Sequence, residues 1–486
     1  MKRLTRVIRI ALALACLILV GRPALSAEPE AQISRLEGEM TGEVTESSAI
    51  LQSRLTGPSI AADGDVPGMP GVARFELSDN DRFAEPILTP WLEARADYDF
   101  IVKTKVTGLK PNTRYYHRLL FGPDKKRIQR GPVRTFRTLV GRDVAARTSF
   151  VVVTGMNFTS FHYGRGGKGK NDYRGPDKQL GYPALAAILR LKPDFFVGTG
   201  DNVYYDHPRA TSATTPRELR KKWHEQFVQP RYVELFAEVP TYWEKDDHDH
   251  RYNDCDTSGD RPPSSELGIR VFKEQVPVTD PADPAAVTYR THRVSRLLQI
   301  WLVEGRDYRS PNKMPDGPEK VLWGKTQLDW LKRTLLASDA PVKVLISPTP
   351  MVGPDDKSKI DNHTDHGGFR HEGDAFFNWI SENGFLDKGL YFVCGDRHWQ
   401  YHSIHPSGFE EFSSGALVDS NSRMGVRPGS KRGTDPEAKI KQPYTSQQPS
   451  GGFLNVVVEP GKRAGTADVK FNFFDEHGTL LHSVEK

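Results

Sequence analysis

The chain has 486 residues, 37% of them hydrophobic and 10% aromatic, which is ample for globular cores and excludes a disordered chain. It carries 67 Lys and Arg against 62 Asp and Glu, and Lys2, Arg3, Arg6, Arg9 and Arg22 account for the whole formal charge of +5. The balanced remainder gives no basis for a polybasic binder of nucleic acid or of anionic membranes.

Residues 1–27 read as a signal peptide: a basic start, the apolar run Ile10–Val20, then Ala24, Ser26 and Ala27. Eleven apolar residues rise only about 16 Å as a helix, about half the hydrocarbon thickness, so the run is too short for an anchor. No other stretch could span a bilayer, and a secreted, periplasmic or cell-envelope location is expected. Without the leader two cysteines are left, Cys255 and Cys394, either paired or as two thiols.

Residues 33–140 predict a small all-β sandwich domain. Ala49–Leu55, Ala73–Ser78, Tyr98–Val106, Thr113–Phe121 and Val133–Leu139 are short alternating runs bounded by Gly, Pro, Asn and Asp. After Gly141 the pattern turns α/β, and residues 145–486 form the second domain. Thr148–Gly155 is an apolar strand, Pro183–Lys192 a helix opened by proline, and Asp194–Asp201 the next strand. Helices are expected around Arg217–Phe227 and Gln327–Leu336, and strands within 296–305, 342–348 and 390–396. Residues 429–452, rich in Gly, Pro, Ser and Lys, predict a long loop or lid, and the ending predicts two or three closing strands.

Three apolar strands end in polar clusters: GTGDNVYYD (Gly198–Asp206), EKDDHDHRYND (Glu244–Asp254) and CGDRHWQYH (Cys394–His402). Open α/β sheets bind ligands beyond the carboxyl ends of their strands, where these clusters fall. Carboxylate, phenol and imidazole together suit hard or borderline metal ions, and a bridging carboxylate can hold two of them, as in two-metal hydrolases.

GD..Y, DDHD and GD.H in this order resemble the alkaline phosphatase D (PhoD-like) group of metallophosphoesterases. VEGRDYRS (Val303–Ser310) and WGKTQLDWLKRTL (Trp323–Leu335) resemble further stretches of that family, and VTGLKPNTRYYHRL (Val106–Leu119) resembles a fibronectin type III pattern. The resemblance implies an αββα metallophosphoesterase sandwich preceded by a small β-sandwich. It also implies hydrolysis of phosphate mono- or diesters, with a metal-bound hydroxide as nucleophile. Asp201 would bridge two metal positions, Tyr204 and His398 would complete the first, and Asp247 and Asp396 the second. His248 would stay off the metals as general acid. The family's metals would be iron and calcium.

The family has a Cys ligand after the first strand of the catalytic domain, where this chain has Met156. A thioether cannot replace thiolate charge, so Asn157 is the expected donor there, and manganese or zinc enters as an alternative metal. GRGGKGKN (Gly164–Asn171) mimics a phosphate-binding loop but has Asn where Ser or Thr is needed, so it reads as a basic loop. Arg165, Lys168 and Lys170 there, and Arg306 with Arg309, are weaker candidates for binding substrate phosphate; the arginine pair could instead brace a loop through carboxylates. Asp361–Glu372, with His363, His366 and His371, reads as a surface loop, a lid or an extra metal site. The other reading of the chain is an exported binding or surface-attachment protein with structural metals and no turnover, against which His248 speaks. Composition sets no oligomeric state.

Overall fold

The structure, a computed structural model, describes residues 32–463 and 465–486; the expected leader lies outside them. Seven α-helices occur among the described residues: α1 (Phe158–Tyr163), α2 (Pro183–Leu191), α3 (Pro216–Phe227), α4 (Pro230–Phe236), α5 (Ser265–Gln275), α6 (Lys325–Leu336) and α7 (Arg370–Glu382). None is long and apolar enough to cross a membrane.

Two large sheets form the centre. The first has nine strands, in the order 480–485, 467–475, 452–460, 148–153, 195–199, 241–244, 39–42, 48–54 and 101–107. The second has seven, in the order 290–293, 298–302, 342–347, 390–394, 410–414, 400–404 and 441–445. Strand alternation explains why the central segments read as unbroken apolar runs. Phe150 and Val152 face the second sheet and meet Ile300, Val344 and Val393, while Val151 and Val153 face the other way, toward Leu185, Ile188, Trp223 and Phe272 of α2, α3 and α5. On the far face of the second sheet, Trp301, Leu345 and Phe392 pack against Leu331 of α6 and Phe376 and Ile380 of α7. The layers therefore run helix, sheet, sheet, helix.

Residues 33–140 build a β-sandwich with its own core, including Leu51, Phe75, Leu77, Val102, Leu119 and Phe136. One of its layers is a small sheet around the strands Gly71–Ser78 and Arg114–Gly122. The other layer continues the nine-stranded sheet, since the strand Glu39–Gly42 lies parallel to Thr241–Glu244, with Gly42 opposite Thr241. Polar contacts reinforce the seam. Lys103 Nζ donates to the carbonyls of Lys273, Glu274 and Val276 at the end of α5, at 2.7, 2.9 and 2.7 Å. This ammonium satisfies carbonyls that a helix terminus leaves without partners. Lys103→Met should therefore cost about 2 kcal/mol, read as a lower guanidinium chloride midpoint; an unchanged midpoint would mean that water replaces the ammonium.

Helices α2, α3 and α6 and the central strands 148–153, 195–199, 298–302, 342–347 and 390–394 fall where the sequence places them, and the ending forms three strands. The strands 39–42, 290–293, 400–404 and 410–414 have no counterpart in the sequence reading. Residues 429–452 differ from expectation. Lys441–Thr445 pairs with Gln400–Ile404 at the edge of the second sheet, and the segment supplies none of the lining of the cleft described next.

Candidate metal centre

Two of the three polar clusters begin with the same backbone device. Asp201 and Asp396 follow the strands Phe195–Thr199 and Leu390–Cys394 after one glycine each, and both have left-handed φ of 54°. The glycines are needed for close approach. A Cβ on Gly200 would lie 2.5 Å from Asp246 Cβ, and one on Gly395 2.4 Å from the Thr199 carbonyl oxygen. The crowding brings all three strand ends together, and the aspartates turn sharply out of the sheets into one cleft of 590 Å³.

Asp201, Tyr204, Asp247, His248, Asp396 and His398 all line this cleft. Asp201 Oδ2, Tyr204 Oη and His398 Nε2 converge: hydroxyl to carboxylate 2.8 Å, imidazole to carboxylate 3.1 Å, imidazole to hydroxyl oxygen 3.3 Å. Ligand atoms of Asp201, Asp247 and His248 also lie within 4.8 Å of one another, so Asp201 belongs to both groups, as a bridging carboxylate must. A further group, Asp247, Asp254 and Asp361, adjoins them, with the Lys359 ammonium on Asp254 and 3.8 Å from Asp361.

The donor set fits divalent or trivalent cations. Asp201 Oδ1 and Asp246 Oδ2 are buried without a hydrogen-bond partner, and burial drives both carboxyls well above the usual range. Such a cluster needs a proton or a cation to balance it. Burial, reinforced by Arg423, holds His398 down at about 3, so its imidazole is neutral and available as a ligand. His248 is the opposite case. Burial opposes its charge, but Asp206, Asp247 and Asp201 outweigh it and raise the imidazole well above its usual value. His248 Nδ1 lies 2.6 Å from Asp206 Oδ1, whose other oxygen accepts from the Asn253 amide at 3.1 Å. Burial also opposes charge on Asp247, yet His248 and Arg306 hold it down at about 2.

The structure commits three expected site residues elsewhere. Asn157 is fully buried; its Oδ1 caps α1 by accepting from the Ser160 amide at 2.9 Å, and its Nδ2 contacts His207 and Asn421. Its carbonyl oxygen is thus turned to the helix, with one of its two lone pairs taken by the cap. Met156 offers no replacement, because its sulfur accepts from Tyr232 Oη at 2.9 Å in the helix-side core. Arg306 is not a phosphate clamp in this geometry: it lies fully buried beneath the cleft, donating to Asp246 Oδ1 at 2.6 Å and to the Cys255 carbonyl at 2.8 Å. Arg309 is likewise buried, on Gly305 and Asp361 carbonyls. Lys168 lines the cleft; Lys170 is exposed but does not.

Asp361–Asp365 is a buried support rather than a surface loop. Asp365 Oδ2 accepts from the Asp361 and Asn362 amides, and Arg306 and Lys359 face Asp361. Asp249, within the second cluster, braces rather than ligates, accepting from Asn202 and from the Asp246 amide, with burial raising it to about 6. Cys255 and Cys394 are free and buried. Two residues of the site lacked an assigned role in the sequence. Asp206 stands in the first cluster, five residues after Asp201, whereas Asn421, donating to Tyr204 Oη at 2.7 Å, carries no local signal.

Helix–sheet–sheet–helix layering with acidic and imidazole donors at the strand ends defines a metallophosphoesterase-like fold. A profile for PhoD-like phosphatases matches residues 151–455, and one for the PhoD-like phosphatase N-terminal domain matches residues 23–139; the chain belongs to this family of phosphoester hydrolases. Among solved structures, that of PhoD is similar over 93% of this chain and 88% of its own, with 18% identity and a TM-score of 0.68. The purple acid phosphatase PPD1 from yellow lupin (Lupinus luteus) seeds covers 92% of this chain and 73% of its own, with 11% identity and a TM-score of 0.58. At such identities these likenesses speak for the fold. No curated protein sequence matches.

Proposed function

We propose that the protein is an exported, metal-dependent phosphoesterase that hydrolyses phosphate mono- or diesters. The observation that carries this reading is one cleft in which Asp201 stands between Tyr204 and His398 on one side and Asp247 on the other, with the imidazole of His248 beside them hydrogen-bonded to Asp206. Tyr204 and His398 would hold the first ion with Asp201, and Asp247 and Asp396 the second. When bound, the ions supply Lewis acidity, which lowers the pKa of water and neutralises charge on phosphoryl oxygens. With Met156 turned into the core, the first position offers oxygen and nitrogen donors only, which suits manganese, zinc or calcium as well as iron.

The chain's own residues supply the proton chemistry. Because Nδ1 is engaged by Asp206, His248 has Nε2 left to protonate the leaving-group oxygen as the bond from phosphorus to that oxygen breaks and water adds to phosphorus. Export is supported by the leader's basic and apolar regions. A structural metal site in a binding protein would have no use for such a proton donor.

The test is turnover of bis-p-nitrophenyl and mono-p-nitrophenyl phosphate by the leaderless protein. Samples as purified, chelated, and reloaded with calcium, manganese or iron would be compared, with Asp201→Asn as control. Metal-restored turnover, reduced at least a hundredfold in the control, is expected. A folded, metal-replete protein without turnover would overturn the reading.

A further inference from the structure

Beside the carboxylates of Asp201, Asp247 and Asp396, the cleft holds basic side chains to which the reaction above gives no role. Five basic side chains line it: Arg165, Lys168, Arg209, Lys359 and Arg423. Two are already committed, Lys359 to Asp254 and Asp361, and Arg423 to Asp356 at 3.0 Å while lying over the Trp399 ring. The other three are exposed, and no side-chain hydrogen bond or ion pair engages them among the described residues. They come from two separate turns. Arg165 and Lys168 belong to the glycine-rich turn after α1, and Arg209 follows His207–Pro208. An added Cβ on Gly166 or Gly169 would meet nothing within 4 Å, whereas one on Gly167 would lie 3.2 Å from Pro208, so this turn rests on the segment that carries Arg209 and is otherwise open.

An exposed cation usually needs no explanation, since it is simply hydrated. Three uncommitted ones converging on the mouth of a metal-ligand cleft are a different arrangement. In the reaction proposed above, bound ions and His248 would answer the charge of the scissile group, which leaves these three side chains without a part in it. A cleft of 590 Å³ also falls within the range that encloses a whole small molecule rather than one phosphate. Two guanidinium forks and an ammonium match a dianion with three free oxygens better than a carboxylate with two.

We infer that the substrate is a small phosphate ester bearing a second phosphoryl group, which Arg165, Lys168 and Arg209 hold while the first reacts beside Asp201 and His248. This rests on the phosphoesterase reading above. Here the three residues are specificity determinants, acting mainly through KM.

The experiment compares kcat/KM for fructose 1,6-bisphosphate, fructose 6-phosphate and 6-phosphogluconate in the metal-loaded protein and in the variant R165A/K168A/R209A. The bisphosphate should be preferred at least tenfold over both others, through KM, and the variant should bring that ratio below about twofold. No preference, equal preference for the carboxylate-bearing ester, or a ratio unchanged in the variant would overturn the inference. A parallel calorimetric comparison of propane-1,3-bisphosphonate with propylphosphonate needs no turnover. Should all three esters fail to react, turnover of the p-nitrophenyl esters decides the phosphoesterase reading separately, and tighter bisphosphonate binding that disappears in the variant would still establish the second anion site, whereas equal binding of the two phosphonates would overturn it.

Discussion

His248→Gln is expected to lower kcat by about 10²–10⁴ on an alkyl phosphate ester, and far less on a p-nitrophenyl ester, whose leaving group departs without a proton. The asymmetry between substrates is the diagnostic, because a residue that merely binds phosphate would affect both alike. Asp206→Asn should reproduce the same asymmetry at about 10²-fold. It leaves the shape of the contact at 2.6 Å but removes the charge that fixes the imidazole's orientation and protonation. Since the two side chains act as one unit, the double variant should be little worse than His248→Gln alone. Additive losses, or equal losses on both esters, would remove His248 from the proton-donor role.

The second large effect lies away from the cleft. His224 of α3 is buried, with Nδ1 2.7 Å from Asp65 and Nε2 2.6 Å from Asp99, both in the N-terminal sandwich. Burial opposes its charge, but these two hydrogen bonds prevail and raise the imidazole to about 9. The folded value exceeds the unfolded one, near 6.5 for histidine. The stabilisation is therefore complete below about pH 6.5 and is lost as pH rises through about 9. The difference corresponds to about 3 kcal/mol. The gap between the guanidinium chloride midpoints of the wild type and of His224→Gln should close between pH 6.5 and 9.5, over a background shared by both proteins from Lys103 and Lys343, which burial holds down at about 7 and about 8. Parallel pH profiles for the two proteins would show that the histidine is not the titrating group.

The α/β character of the catalytic part and the three polar clusters at its strand ends were legible because they follow from local rules, whereas the four-layer order and the roles within the clusters come from the family resemblance. Strands buried on both faces, such as Thr148–Val153, become unbroken apolar runs, and the polar residues that end them mark where the sheet stops. Helices α5 and α7 were not legible, since SELGIRVFKEQ and RHEGDAFFNWISE mix charge and aromatics until tertiary packing selects a face. Contacts between distant segments were equally hidden. Nothing near Asp361 announces that Arg306 lies beneath it, and nothing near Asn157 shows that capping α1 turns its carbonyl to the helix. The Asp206–His248 contact spans 42 residues, and only the turn after Asp201 brings the two together.

The sheet shared between the two parts bears on whether they can be severed. Composition draws a border near residue 140, yet the strand Thr241–Glu244, which leads into Asp246 and Asp247, has the strand Glu39–Gly42 as its outer neighbour. A catalytic part cut free at that border would bare this strand's backbone as a raw edge, an invitation to intermolecular pairing directly beside the ligand loop. The N-terminal sandwich thus serves as a selvedge for the sheet that carries the candidate metal-binding groups, and the two matched family segments make one indivisible fabric.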